Sequence, residues 1–155
     1  MNYWLLKTEP DVFGIDDLAA LGKLAEPWNG IRNYQARNII RDQIKTDDLA
    51  LIYHSSCKNV GVAGIGKVVS EAYVDPDQFD PESVYFDAKS SPEKPKWFRF
   101  DLRFVKKFSA IVSLPEIKSN PELANMVLLK QGRLSVQPVK DNEWKLICQL
   151  AQRKS

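Results

Sequence analysis

The chain has 155 residues, 44% apolar and 27% charged, with a formal net charge of +2. This is a globular rather than a disordered composition, long enough to bury one core without a disulfide or a metal. It excludes a polycation held to nucleic acid by phosphate attraction alone, and leaves room for a modest basic face.

Residues 1–9, Met-Asn-Tyr-Trp-Leu-Leu-Lys-Thr-Glu, lack a basic region followed by a long apolar run. They read as a buried strand ended by Pro10 rather than as a secretory signal. Residues 15–21 predict a short helix stopped by Gly22. Pro27-Trp28-Asn29-Gly30 reads as a turn, because Pro presets φ and Asn-Gly tolerates positive φ. Asn33 is placed to cap a helix over 34–43, on which Arg37 and Arg41 share one face and Ala36 and Ile40 another. Residues 48–54 predict a strand buried on nearly both faces. Residues 62–73 predict a bent strand, β-branched and broken by Gly64 and Gly66.

Residues 74–95 hold Pro76, Pro81, Pro92 and Pro95 among polar neighbours and predict a long, partly mobile surface loop. Phe98, Phe100, Leu102 and Phe104 then alternate with Arg99, Asp101 and Arg103, the period of a half-buried strand. Ser113 and Glu116 have the spacing of a capping box, and Pro121 opens another short helix. Residues 132–138 predict a short strand or loop, and 142–153 a closing amphipathic helix. Strands in the middle with helices at the edges predict an α+β fold built on a small curved barrel, not a doubly wound sheet. The whole of 1–155 is expected to form one domain.

Gly61 to Lys67 matches the spacing of a phosphate loop, but Val68 follows the lysine where a magnesium ligand is needed, so glycines bending a strand fit better. His54, the sole histidine, stands beside Ser55 and Cys57. General-base chemistry, a place at a pocket rim and a structural hydrogen bond all remain open to it. No His, Cys and carboxylate set has metal-ligand spacing, and Cys57 and Cys148 stand far apart. A reduced, intracellular protein with no bound metal or cofactor is expected. No apolar run reaches the ~18 residues of a membrane span.

Residues 28–38, Trp-Asn-Gly-Ile-Arg-Asn-Tyr-Gln-Ala-Arg-Asn, gather rings, guanidinium groups and amides around one turn and one helix start. They suit a planar, hydrogen-bonding ligand, or else a core Trp beside a solvated helix face. Arg133 and the stretch Leu134-Ser135-Val136-Gln137-Pro138 form a second candidate, or an edge strand stopped by Pro. Arg99 and Arg103, with Lys94, Lys96, Lys106 and Lys107 nearby, form either a phosphate-binding stripe or an ordinary solvated face.

The segments 3–10, 28–38, 53–55 (Tyr-His-Ser) and 132–138 occur in the order found in the EVE domain family, to which the thymocyte nuclear proteins belong, and the chain resembles that family over nearly its whole length. Thr8, Asn29 and Ile31 stand where Ser, Asp and Val are common there, and Lys140 where a capping Thr is expected. The resemblance implies a PUA-like barrel flanked by short helices, related to the YTH readers. It implies a non-catalytic partner of nucleic acid, DNA carrying 5-methylcytosine or RNA carrying a modified base, held by extrusion of that base. It would place Trp28, Asn33, Tyr34, Tyr53, His54, Ser55, Ser135 and Pro138 as pocket walls. Lys7, Arg32, Arg37 and Arg133 would stand at the base or mouth, with Gln137 among the groups reading the base edge. Two rivals are a hydrolase using His54 and a sensor of a small planar metabolite.

Overall fold

Alternate residues of the two most apolar strands face opposite ways, and both ways lead to a core. The computed structural model describes residues 1–154. In β1 (Tyr3–Thr8), Trp4 and Leu6 enter one apolar cluster and Leu5 the other; in β3 (Leu49–His54), Ala50 and Ile52 join the first, Leu51 and Tyr53 the second. A strand buried on both faces explains why these stretches read as continuous apolar runs. β1 and β3 are parallel. The crossover between them carries α1 (Ile15–Ala20), β2 (Ala25–Trp28) and α2 (Tyr34–Asp42).

The rest of the sheet is β4 (Gly61–Val68), β5 (Tyr73–Val74), β6 (Phe98–Ser113) and β7 (Val136–Val139). Strand order is β2-β6-β4-β3-β1-β7, with β5 pairing β6 to the side. β2 and β7 are left as edges, so the sheet curves without closing into the expected barrel. α3 (Leu114–Ser119), α4 (Val127–Lys130) and α5 (Asp141–Arg153) follow. The first cluster lies under α1 and α2, through Leu18, Ala36 and Ile40. The second lies under α5, through Trp144, Ile147 and Ala151.

Gly64 shows why the phosphate-loop spacing is structural. A Cβ there would stand 2.3 Å from the Lys106 carbonyl oxygen, at a register shift between β4 and β6. The capping predictions hold: Asn33 Oδ1 accepts from the Ala36 N–H at 2.9 Å, and Ser113 Oγ from the Glu116 N–H at 3.3 Å. Lys140 gives α5 no side-chain cap; instead its own N–H donates to Glu143 Oε1 at 2.9 Å.

Three expectations change. Pro27 and Trp28 end a strand rather than form a turn, opposite Asp101 and Phe100; β2 is an edge strand, where Pro costs no ladder bond. β6 runs nine residues past the Phe98–Phe104 alternation, to Ser113, through an exposed stretch at Val105, Lys106 and Lys107. The loop after β5 is pinned by Gln78, which is fully buried. Its Nε2 donates to the Asp75 and Trp97 carbonyls at 2.6 and 2.8 Å. Its Oε1 accepts from Ser90 Oγ, Lys96 N–H and Trp97 N–H at 2.5, 3.1 and 3.0 Å. Trp97 Nε1 adds a bond to Asp87 Oδ2 at 2.8 Å.

Candidate functional site

The parallel strands β1 and β3 finish side by side, and the segment leading into β7 lies against them. The Ser55 N–H donates to the Thr8 carbonyl and the Lys7 N–H to the Ser135 carbonyl, both at 2.9 Å. Lys7 Nζ reaches the Gly132 carbonyl. These three segments form one bank of a cavity of about 520 Å³; the Gly30–Arg32 turn and Tyr85 form the other.

The second bank is fixed by Arg32. Its Nη2 and Nε donate to the Tyr85 carbonyl at 2.8 and 3.3 Å, and its Nη1 pairs at 3.1 Å with Asp75, whose side chain is fully buried. Gly30 has φ +78°, and a Cβ on it would fall 2.7 Å from the Tyr85 ring. The turn therefore needs glycine twice, for its backbone and for the ring lying on it. Behind this bank the Arg32 guanidinium lies 5.4 Å from the centroids of both Tyr85 and Trp97. Tyr34 stacks on Trp97 at 5.0 Å, and Arg37 covers Tyr34 at 5.1 Å.

Two smaller hollows continue the cavity into a trough. The inner one, about 250 Å³, shares Thr8, Val12 and Tyr85 with it and adds Glu26, Trp28 and Asn29. The outer one, about 350 Å³, shares Lys7, Ser55 and Gly132 and adds Tyr53, Lys118 and Leu128. Burial sets the proton affinities along the trough. It lowers the Lys7 pKa and raises that of the Tyr53 phenol, which the Cys57 charge raises further. Burial also raises the Glu26 carboxyl, against the pull of the Arg99 charge.

Of the residues expected at the site, Lys7, Arg32, Ser55, Arg133 and Ser135 line the main cavity. Tyr53 lines the outer hollow and Trp28 the inner one. Trp28 is only 7% exposed and meets Phe13 edge-on at 6.1 Å, so it is as much core as wall.

The other six line none of the three hollows. Asn33 spends its acceptor on the α2 cap. Tyr34 and Arg37 belong to the stack on Trp97, and Arg37 Nη1 donates to the Lys96 carbonyl at 2.7 Å. His54 is buried, and its Nε2 accepts the Ile15 N–H at 3.1 Å, which caps α1; burial lowers its pKa, with Asp16 opposing and Lys107 adding to the shift. Gln137 is 1% exposed, and its Nε2 donates to the Leu134 and Gln131 carbonyls at 2.7 and 3.2 Å. Pro138 stands on the β7 edge opposite Trp4.

Thr8, Glu9, Val12 and Tyr85 line the cavity without having been singled out. Thr8 and Glu9 lie inside the first motif. Tyr85 sits in an aperiodic loop, where its one signal is the glycine it rests on. Arg99 is drawn away from any outer stripe: its Nε donates to Tyr73 Oη at 3.0 Å, and it lies 3.9 Å from both Asp75 and Asp77. Among the described residues no helix is long and apolar enough to cross a membrane.

The EVE domain family model matches residues 2–150. The zebrafish (Danio rerio) protein "Thymocyte nuclear protein 1" is 41% identical over 165 residues, a span of 95% of this chain and 71% of that protein. The structure of a hypothetical protein from Leishmania major superposes with a TM-score of 0.94 at 44% identity, covering 99% of this chain and 96% of that one. The crystal structure of human THYN1 protein in complex with 5-methylcytosine-containing DNA superposes with a TM-score of 0.92 at 38% identity, covering 98% of each chain.

Proposed function

Because the chain belongs to the EVE domain family, we propose that it is a nucleic-acid-binding module whose trough takes up a modified base, of the 5-methylcytosine type, extruded from DNA. The observation that carries this reading is the near-complete likeness to a human protein crystallised with DNA containing that base. The trough supports it chemically. Lys7 and Arg133 bring positive charge to the main cavity against the single Glu9 carboxylate, Arg32 being paired with Asp75; Tyr85 brings a ring, and Ser55 and Ser135 bring hydroxyls.

Capture proceeds by exchange of stacking partners. Extruding a base costs a few kcal/mol, less where it is mismatched or unpaired, and stacking on an aromatic wall returns about 1–3 kcal/mol. These two terms nearly cancel, so the affinity of one domain comes mainly from contacts outside the base, including phosphate contacts of the exposed Arg133 and Lys118 that strengthen at low salt. The 1–155 chain acts as one unit in this scheme. Binding without turnover is supported by His54: its Nε2 already accepts a backbone N–H, so the histidine that a hydrolase would need is occupied in holding α1.

Equilibrium titrations against matched oligonucleotides test this: duplex DNA with one 5-methylcytosine, the same duplex unmodified, and single-stranded RNA with and without 5-methylcytosine. The expected result is several-fold tighter binding of the methylated duplex. Equal affinity for all four overturns the reading, and preference for the methylated RNA moves it to the other polymer.

A further inference from the structure

We infer that the inner hollow beneath Trp28 receives the amino-bearing edge of a single base, and that Glu26 is the residue that selects it. The inference rests on the base-capture reading above.

At about 250 Å³, the hollow is smaller than the ~300–1,000 Å³ of pockets for drug-sized ligands. It fits one ring, with the sugar and phosphate left in the main cavity. Its apolar walls are the Phe13–Trp28 corner and Tyr85. Beside the Trp28 indole N–H and the Tyr85 hydroxyl, three of its polar side chains offer acceptors alone, which follows from where their protons go. Thr8 Oγ1 gives its single proton to the Phe13 carbonyl at 2.5 Å, so only lone pairs are left to face a ligand. Asn29 Nδ2 donates to Asp77 Oδ2 at 2.8 Å; because a carboxylate only accepts, this bond fixes the amide and leaves Asn29 Oδ1 unused. Among the described residues nothing donates to the Glu26 carboxylate, whose one partner is the more distant Arg99 charge.

Acceptors dominate the hollow, so its ligand must bring donors. Cytosine-type and adenine-type bases carry an exocyclic amine, and a carboxylate accepting from cytosine N4 is an established base-edge contact. Thymine and uracil present a carbonyl at the same position. Placed in the same pose, that carbonyl would set lone pairs against the Glu26 carboxylate where an amine would donate, a mismatch by which polar sites discriminate strongly. Glu26 is well placed for this role by β2. It stands two residues before Trp28 on an edge strand, so the two side chains leave the same face of the sheet.

The probes that isolate the contact are two oligonucleotides with one unpaired base, 5-methylcytosine or thymine, at the same position. The two bases share the methyl group and differ at the amino edge. Wild-type protein is expected to prefer 5-methylcytosine by about tenfold, near the low end of what one good base-edge contact discriminates. Glu26→Gln, whose amide can donate to a carbonyl, should bring the ratio to about one or invert it. The side chain is half-buried on an edge strand and makes no hydrogen bond among the described residues, so the isosteric variant should melt like the wild type. If neither base is bound better than an abasic control, the capture reading falls and the assignment with it. If both are bound and the ratio is the same in wild type and Glu26→Gln, the assignment alone falls.

Discussion

On one side of the Gly30–Arg32 turn lies the trough; on the other, Arg32, Trp97, Tyr34 and Arg37 alternate in a stack. Both regions are made of rings, guanidinium groups and amides, and residue type does not tell them apart. Their hydrogen bonds do. In and behind the stack the polar groups are spent: Arg32 on Tyr85 and Asp75, Arg37 on Lys96, Gln78 on the loop after β5. Along the trough Glu26 and Arg133 have no hydrogen-bond partner among the described residues. Binding capacity is what remains after the fold has taken its share, so the stack serves as a buttress that holds Tyr85 against Gly30.

That division predicts opposite outcomes for substitutions on the two sides. Gln78→Leu should do the most damage. It leaves the Asp75 carbonyl and the Trp97 N–H without the partners Gln78 supplies, while the Trp97 carbonyl keeps the Asp75 N–H and the Lys96 N–H keeps Ser90 Oγ; buried groups left unpaired cost about 1–3 kcal/mol each. Urea or thermal unfolding should show a loss of about 3–5 kcal/mol, with binding lost as Tyr85 loosens. Wild-type stability in Gln78→Leu would mean that the loop is held by something else.

Tyr34→Ala should cost about 0.5–1.5 kcal/mol from the lost ring pair. The ring is 53% exposed and lines none of the trough, so the preference for a methylated base should survive. Loss of that preference with stability intact would move Tyr34 from buttress to wall.

His54→Gln separates a structural histidine from a working one. Burial holds the folded-state pKa of His54 below its usual value, so the unfolded chain takes up the proton first as pH falls. The neutral imidazole's contribution is full above the unfolded value, about 6.5, and is lost as pH falls through the folded one. Gln keeps an acceptor for the Ile15 N–H and does not titrate. Its unfolding free energy should therefore fall less than the wild type's between about pH 7.5 and pH 5. An identical slope in both proteins would assign the acid sensitivity elsewhere.

Arg133→Ala should have the smallest effect on the fold, within about 0.5 kcal/mol, as for an exposed side chain with no special role. Its effect belongs to binding. Affinity for methylated and unmodified DNA should drop alike, and the slope of log K against log salt should flatten by about one unit. An unchanged slope would take Arg133 out of the nucleic-acid footprint.

Features under local chemical control were legible in the chain before folding. Asn33 caps α2 and Ser113 with Glu116 caps α3 because the groups that bond lie within three residues of each other. The two-residue period of β6 and the apolar face of α5 were legible for the same reason, since one periodicity decides which side is buried. The family motifs located the trough's first bank, Lys7, Ser55, Arg133 and Ser135, because short contiguous segments at the ends of β1 and β3 and before β7 carry it. The tertiary structure decided how each polar group is spent. His54, Gln137 and Asn33 looked like site residues by type, and each proved bound to a backbone group that only the fold, or the local turn, brings to it. Tyr85 and Gln78 looked like loop residues, and one became a wall and the other the loop's anchor. Their partners lie as far as 53 and 19 residues away in the chain, a separation that composition and periodicity do not encode. Closure of the sheet was decided the same way. Glycine bends foretold the curvature, but β2 and β7 remain edges because among the described residues no strand pairs between them, and pairing between distant strands is a property of the folded chain.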